Sequence, residues 1–373
     1  MKFTMSKIFV DDPNLSDLEK KYLAKAIDTN FVSVIGPFVP EFEKKFARYI
    51  GSKGAVAVQS GTAALHMALY ELGIREGDEV IVPALTFIAT INPILYVGAK
   101  PVIVDVDSET WNIDPEEVKK AITENTKAII PVHLYGNPCD MDEIMKIAKE
   151  YNLYVIEDAT ESLGATYREK QTGILGDFGC FSFNGNKLIT TGGGGMIVTD
   201  DKKRAKHIKF LVNQARDNSK GYYHPEMGFN YRMTNIEAAL GLAQFERIDE
   251  FLEKKRNFRK IYQKVLGDLP YIRFQQEYDN ASGSWWLTCV KIDKNNIDID
   301  KLRLKLKEKG IPSRRIFIPA SEMPYLRKFS KFCPNAYEIY NQGICLPSST
   351  LNEEEDIRKA AINLKNILKE NEL

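Results

Sequence analysis

A disulfide framework, a charge imbalance, a membrane-length apolar run and a metal-ligand cluster are all missing from this 373-residue sequence. Its five cysteines (Cys139, Cys180, Cys289, Cys333 and Cys345) are odd in number, widely spaced and without a Cys-x-x-Cys pair. That pattern excludes a cysteine-stapled scaffold and a zinc site, and fits reduced thiols in a cytoplasmic protein. Four scattered histidines also lack metal-ligand spacing. With 51 basic and 51 acidic residues there is no net field, so neither nucleic acid nor an anionic membrane surface is expected as a partner. The first residues show no basic-then-apolar signal pattern, and no run approaches the length of a membrane span. The chain therefore reads as cytoplasmic and globular, without internal repeats.

What is present is an alternation of short apolar runs with helical patterns. Residues 14 to 50 read as amphipathic helix broken at Gly36-Pro37, with Phe38, Phe42 and Phe46 at helical spacing. Apolar strands follow at 55–58, 79–83, 101–106, 128–132 and 153–156. The stretches between them are helical: 63–72, 86–96, a run opened by Asp114-Pro115, and 140–151. Such alternation indicates βαβ units and a mainly parallel sheet covered on both faces, an α/β fold. After a basic helix (202–212) and a polar, aromatic loop (217–232), a long helical pattern from Asn235 to about Leu266 leaves this first unit. Strands at 285–292 and 313–318, and helices at 299–309 and 353–369, predict a smaller α+β unit. The expected division is a large domain over 1–250 and a small C-terminal domain over 251–373.

The stretch Phe181-Ser182-Phe183-Asn184-Gly185-Asn186-Lys187, followed by Gly192 to Gly195, is where the chemistry concentrates. One lysine sits between two strand-like runs beside four glycines, residues that let a backbone or ligand approach closely. A P-loop would place the lysine after the glycines, at the start of a helix, and the order here is the reverse. A lysine so placed can form a Schiff base or face a phosphate. Ligands in open α/β sheets sit at the carboxyl ends of the strands, and further candidates fall there. Ser60-Gly61-Thr62 lies between a strand and a helix, either as an anion seat or as an ordinary N-cap. Phe87 follows the next strand and is either a plate for a planar ligand or core. Glu157-Asp158-Ala159-Thr160-Glu161 places carboxylates directly after a buried-looking strand, which is costly unless they have partners. Ser182 is a second hydroxyl at the lysine's strand end. An anion seat, an aromatic plate, a carboxylate and a lysine amine are together what pyridoxal phosphate needs.

These motifs resemble the DegT-type sugar aminotransferases, pyridoxal-phosphate enzymes of the aspartate-aminotransferase fold (fold type I). The resemblance runs from Gly36-Pro37-Phe38-Val39 to Cys345-Leu346-Pro347-Ser348. It rests on Ser60-Gly61-Thr62-Ala63-Ala64-Leu65, Pro83-Ala84-Leu85-Thr86-Phe87, Glu157-Asp158-Ala159, Ser182 to Lys187, and Gly228-Phe229-Asn230-Tyr231-Arg232-Met233. It implies a large domain with a seven-stranded, mainly parallel sheet. Lys187 would then carry the cofactor and shuttle the substrate proton, Asp158 would pair with the pyridine nitrogen, and Phe87 would stack on the ring. Glu161 would lie near the phenolic oxygen, and Gly61, Thr62 and Ser182 would bind the phosphate. Asn230 would reach the phosphate from a second subunit, making a homodimer with composite sites.

The implied reaction moves an amino group from L-glutamate to a nucleotide-linked keto-sugar. The acceptor class is a 4-keto-6-deoxy hexose, as in perosamine-type amino-sugar biosynthesis for O-antigen and other polysaccharides. Ser321 stands where many relatives carry a histidine near the substrate sugar, and Trp285-Trp286 and Arg314-Arg315, with Trp285 and Arg315 foremost, are either contacts to a nucleotide diphosphate or core and surface. A dehydratase of the same family is the second reading, opposed by Lys187 because such dehydratases typically carry histidine there. A cyclic-ketone aminotransferase of the same family is the alternative beside it. A cofactor-binding regulator would need a DNA-binding element, and the basic stretch 202–209 reads as a solvated helix face.

Overall fold

Short apolar segments bury best on both faces of a parallel sheet, and this is where the sequence puts them. The computed structural model describes residues 8–294 and 297–370. Two helices lead in, α1 (Asp17–Asp28) and α2 (Phe38–Ile50). Strands β1 (Gly54–Val58), β2 (Glu79–Pro83), β3 (Lys100–Val104), β4 (Thr126–Ile129) and β5 (Tyr154–Asp158) then alternate with α3 (Gly61–Glu71), α4 (Asn92–Tyr96), α5 (Pro115–Ala121) and α6 (Met141–Tyr151). A small flap of β6 (Thr166–Tyr167) and β7 (Lys170–Gln171) precedes β8 (Phe178–Ser182) and β9 (Gly195–Thr199). The seven-stranded sheet has the order β1-β9-β8-β5-β4-β2-β3. Only β9 runs against the others. The carboxyl ends of β1, β2, β5 and β8 therefore share one edge, as the α/β reading requires. The two antiparallel neighbours β8 and β9 bracket the turn that carries Lys187.

Side chains on the two faces of the sheet enter separate cores. Val56, Val58, Val80 and Val82 pack on α3, whereas Ala57, Met196 and Val198 pack on α2 and on α8 (Asn235–Phe245). Phe42 and Phe46 of α2 stack edgewise, and Phe46 meets Phe181 and Phe183 beside the lysine turn. The basic helix α7 (Lys202–Leu211) covers β1 and β9 from the other side.

Past α8, the helix α9 (Ile248–Leu266) leads into a second sheet of β10 (Ile272–Phe274), β12 (Cys289–Ile292), β13 (Arg314–Arg315) and β14 (Gly343–Cys345). Strand β11 (Ala281–Ser282) joins the β6–β7 flap instead. Helices α10 (Ile299–Glu308), α11 (Pro334–Gln342) and α12 (Glu354–Lys369) complete this unit. Ile248, Phe251 and Leu252 of α9 lie in the core of the large sheet, whereas Phe258, Ile261, Tyr262 and Leu266 lie in the small-sheet core. We infer that the chain divides within α9, near residue 250. Residues 8–10 run beside the small unit: Ile8 enters its core, and Ser348 N–H donates to the Val10 carbonyl at 2.7 Å.

Several elements are shorter than the sequence pattern suggests, each for a local reason. The helix expected over 86–96 is a 3₁₀ turn (Ile88–Thr90) followed by α4. Pro93 has no N–H to donate, so it sits in the first turn of a new helix, and Phe87 before the turn stays extended. The pattern over 235–266 is two helices, with Arg247 at the joint. The strand expected over 285–292 begins only at Cys289, because Trp285 takes a left-handed φ of 52°. Of the strand expected over 313–318, only Arg314 and Arg315 pair. Helix α1 ends at Asp28, short of Gly36-Pro37. All five cysteines are buried free thiols. Among the described residues no helix is long and apolar enough to cross a membrane, and no group of three or more His, Cys, Asp or Glu could hold a metal ion.

Candidate active site

Only Gln59 and Ser60 separate the end of β1 from the start of helix α3, so its first N–H groups face the strand ends. Ser60 caps it, its hydroxyl accepting from the Ala63 N–H at 3.1 Å. That bond leaves the Gly61 and Thr62 N–H groups pointing forward without intrahelical acceptors, at the positive end of the helix dipole. Gly61 has a packing reason: a Cβ there would lie 2.9 Å from both Ser182 Cβ and Thr160 Cγ2. Three strand ends thus converge on a backbone cradle that any side chain at position 61 would fill.

The cradle opens into a cavity of about 320 Å³. Gly61, Thr62, Phe87, Asp158, Glu161, Ser182 and Lys187 all line it, so seven sequence-predicted residues from four strand ends meet in one place. Asp158 is 2 % exposed at the end of β5. Its Oδ2 accepts from Thr90 Oγ1 at 2.7 Å, and its Oδ1 accepts from Thr160 Oγ1 at 2.7 Å. Thr90 in turn bonds Thr86 Oγ1 at 2.7 Å. Hydroxyls on both sides fix the carboxylate in one orientation while leaving it further acceptor capacity. Phe87 is exposed into the cavity, its ring 5.7 Å from that of Phe317. An exposed aromatic at a pocket wall is available to a flat ligand.

Lys187 points into the same space from the β8–β9 turn. Its Nζ lies 3.4 Å from Glu161 Oε1 and 3.9 Å from the centroid of the Trp286 ring. Glu161 is buried, and its Oε2 accepts the Tyr135 N–H at 2.8 Å. Burial pushes the Glu161 carboxyl above its ordinary range, opposed by Lys187 and the Tyr135 N–H and reinforced by Asp158. The glycines behind the lysine serve close packing. At Gly195 a Cβ would meet the Ser60 backbone at 2.6 Å and the Phe181 carbonyl oxygen at 2.7 Å.

Glu157, the neighbouring carboxylate, does different work. It is fully buried, with Oε2 bonded to His133 Nε2 and the Gly173 N–H. Its Oε1 accepts the N–H groups of Leu175 and Gly176. It holds the 173–176 loop and does not line the cavity.

The remaining predicted residues lie elsewhere. Arg315 pairs with Asp300 at 2.7 Å and stacks over Tyr340, outside the cavity. The cavity arginine is its neighbour Arg314, whose Nη1 is 2.5 Å from Asp11 Oδ2. Trp285 is buried beneath the Arg259 guanidinium, and Trp286 takes the cavity wall. Ser321 is buried, with its hydroxyl bonded to Tyr337 at 3.1 Å, and is not a lining residue. Asn230 is exposed between Phe229 and Tyr231, which stack on each other and pack on His66. Its Oδ1 accepts from Arg232, and it does not enter the cavity of its own chain. Sequence reasoning missed Thr90, Thr160, Asn186 and Phe317. Only Thr160 carried a local signal, the Asp-x-Thr spacing that lets a hydroxyl bond back to a carboxylate.

The donor set suits pyridoxal phosphate. A cradle with free N–H groups fits a phosphate, a fixed carboxylate fits a ring nitrogen, an exposed phenyl fits a ring face, and a lysine amine fits an aldehyde.

Comparison with known proteins agrees with this reading. GDP-perosamine synthase of Caulobacter vibrioides is 43% identical over 98% of this chain and 99% of its own. GDP-perosamine synthase of Escherichia coli O157:H7 is 43% identical over 94% of this chain and 96% of its own. The pyridoxal-phosphate form of a putative sugar aminotransferase, Spr1654 from Streptococcus pneumoniae, superposes with a TM-score of 0.91 at 26% identity, covering 97% of this chain and 98% of that one. Residues 13–365 match the DegT/DnrJ/EryC1/StrS aminotransferase family, and the chain belongs to it as a pyridoxal-phosphate-dependent aminotransferase.

Proposed function

We propose that the chain transfers the amino group of L-glutamate to a GDP-linked 4-keto-6-deoxy hexose, giving GDP-perosamine. The observation that carries the chemistry is Lys187 facing Glu161 in the cavity that Asp158 lines. The substrate class rests on end-to-end similarity to enzymes named for that product. When bound, pyridoxal phosphate supplies an aldehyde for the amine and a ring that accepts electrons. The Gly61 and Thr62 N–H groups and Ser182 Oγ would hold its phosphate, and Asp158 would keep its ring nitrogen protonated by charge attraction. Phe87 packs on the ring. Lys187 Nζ, placed in this cavity, would take the proton from the donor carbon as a general base and return it as a general acid. Phe317 and Trp286 narrow the cavity and limit water around that proton.

The screen that tests this uses purified protein, L-glutamate and the GDP-, UDP- and dTDP-linked 4-keto sugars, read by mass spectrometry. Conversion of carbonyl to amine is expected with the GDP sugar. Amination of only the UDP or dTDP sugar would replace the GDP assignment, and no amination of any of them would remove the sugar-nucleotide reading.

The working unit in this reading is a cytoplasmic homodimer with shared sites. Asn230 is exposed and does not line the cavity of its own chain, and Phe31, Val32, Ile35 and Met227 are exposed large apolar residues. A groove nearby is lined by Val34, Ile35, Phe210 and Met233 together with Arg216 and Arg232. Clustered exposed apolar residues rimmed by charge are the mark of an interface. The test is complementation between an inactive Lys187→Ala chain and an inactive Asn230→Ala chain. Subunit exchange gives a heterodimer with one site carrying both defects and one carrying neither, so up to half of wild-type activity per heterodimer should return. Confirmed exchange without recovery would mean that Asn230 acts within its own chain.

A further inference from the structure

Trp286 is held from three sides. Its indole N–H donates to the Asn186 carbonyl at 2.6 Å, which ties the ring to the residue preceding Lys187. Its own carbonyl accepts from Lys255 Nζ at 2.7 Å, a buried amine that also feels the Asp11 carboxylate. Its ring stacks on Tyr135 at 6.3 Å and 25°, and Tyr135 is the residue whose N–H binds Glu161. The ring has little freedom to swing, being 3 % exposed. On its open face stands Lys187 Nζ, 3.9 Å from the ring centroid, with Glu161 Oε1 on another side at 3.4 Å.

A lysine side chain has four rotatable bonds and a mobile head, and a proton carrier must be within reach of one carbon. The salt bridge to Glu161 is long for a charge-assisted bond, so it orients the amine weakly. The π face of a fixed indole attracts an ammonium over its centre and confines it without supplying a competing proton acceptor. We propose that Trp286 is a positioning residue for Lys187: its clamped ring holds the amine at the cavity floor during the part of the cycle in which Lys187 moves the proton. This rests on Lys187 being the reacting lysine. Asn186 and Lys255 act through Trp286, by holding its two ends.

The experiment uses Trp286→Phe, which keeps a ring face without the N–H, and Trp286→Leu, which keeps bulk without a ring. Circular dichroism and thermal melting first establish that each is folded. In cofactor-free protein, capture of added pyridoxal phosphate joins the amine nitrogen to the aldehyde carbon with loss of one water. It is timed by borohydride quenching and mapped by peptide mass spectrometry. In the leucine variant, capture at Lys187 at neutral pH is expected to quicken by up to about thirtyfold, the order of a desolvated cation–π contact, because the neutral amine attacks the aldehyde and the indole face stabilises the unreactive ammonium. The phenylalanine variant should stay within about threefold of wild type. In turnover the leucine variant should lose kcat with KM for both substrates unchanged. Its isotope effect with 2-deuterated glutamate should also rise, because proton transfer becomes slower. Wild-type capture rate and isotope effect in folded Trp286→Leu would overturn the proposal, as would an equal change in both variants or slower capture in Trp286→Leu. Should Leu fail to fold, Phe decides: a changed capture rate in a folded Phe variant would show that the N–H, not the ring face, is what matters. Capture mapping to another lysine in wild type would instead remove the Lys187 assignment itself.

Discussion

Lys187→Ala is expected to abolish transamination, with kcat falling at least about ten-thousandfold. Proton transfer by a positioned side chain is alone worth about 10² to 10⁴ in rate, and in the proposed mechanism this lysine would also carry the covalent bond to the cofactor. The wild-type protein should be yellow, and borohydride should bleach it and fix the pyridoxyl group on Lys187. The choice among lysines is a real one here. Lys255 is buried, and burial pushes its amine down to about 7, the property usually associated with a reactive lysine. Geometry decides against it: Lys255 Nζ is spent on the Trp286 carbonyl and does not line the cavity. Lys187 shares the cavity with Asp158 and the Gly61 cradle. A pyridoxyl group mapped to Lys255, or an active Lys187→Ala enzyme, would reverse the assignment. Residual non-covalent cofactor binding in the variant is expected, because the phosphate cradle and Phe87 are untouched.

Much of this site could be read before any coordinates, and the reason is topological. Short apolar runs alternating with helical patterns read as strands of a sheet covered on both faces, strands in βαβ order run parallel, and parallel strands present their carboxyl ends on one edge. Residues directly after such runs, Ser60 to Thr62, Asp158 and Ser182, therefore meet although far apart in sequence. The small unit was less legible because its strands are brief and irregular. Nothing in Trp285-Trp286 says which ring faces the cavity; the left-handed Trp285 backbone decides it, and likewise Arg314 and Arg315 differ only by the alternation of a two-residue strand. The joint at Arg247 carries no glycine or proline, so the 235–266 pattern gave no sign of a break. Asp11 was invisible for another reason. A buried carboxylate near the start of the chain reaches Asn186 and Arg314 only through the fold, at 2.9 and 2.5 Å.

Asp158→Asn should reduce turnover about a thousandfold while the protein still folds and still binds cofactor. The substitution is nearly isosteric, and the two partners of the carboxylate tolerate it. The amide can keep its oxygen toward Thr160, whose N–H and hydroxyl both donate to Oδ1, and turn its NH₂ toward the Thr90 hydroxyl, which can rotate to accept. What is lost is the negative charge. A carboxylate beside a ring nitrogen keeps it protonated, and a protonated ring would withdraw electrons from the carbon that Lys187 is proposed to deprotonate. A neutral amide supplies no such pull, so the barrier rises when charge develops. Removal of one well-placed electrostatic group typically costs 10² to 10³ or more in kcat. The loss should appear in kcat with little change in KM, the signature of an interaction made in the transition state. Two other carboxylates stand nearby, and the structure separates their claims. Glu157 has both oxygens committed to His133 and the 173–176 N–H groups, so it has no capacity to spare. Glu161 faces Lys187, and burial favours its neutral form, which suits a hydrogen-bond partner better than a counter-ion for the ring. Glu161→Gln should accordingly cost far less than Asp158→Asn. If Asp158→Asn turned over normally while Glu161→Gln lost a thousandfold, the ring nitrogen would belong to Glu161, and Asp158 would be an anchor for Thr90 and Thr160.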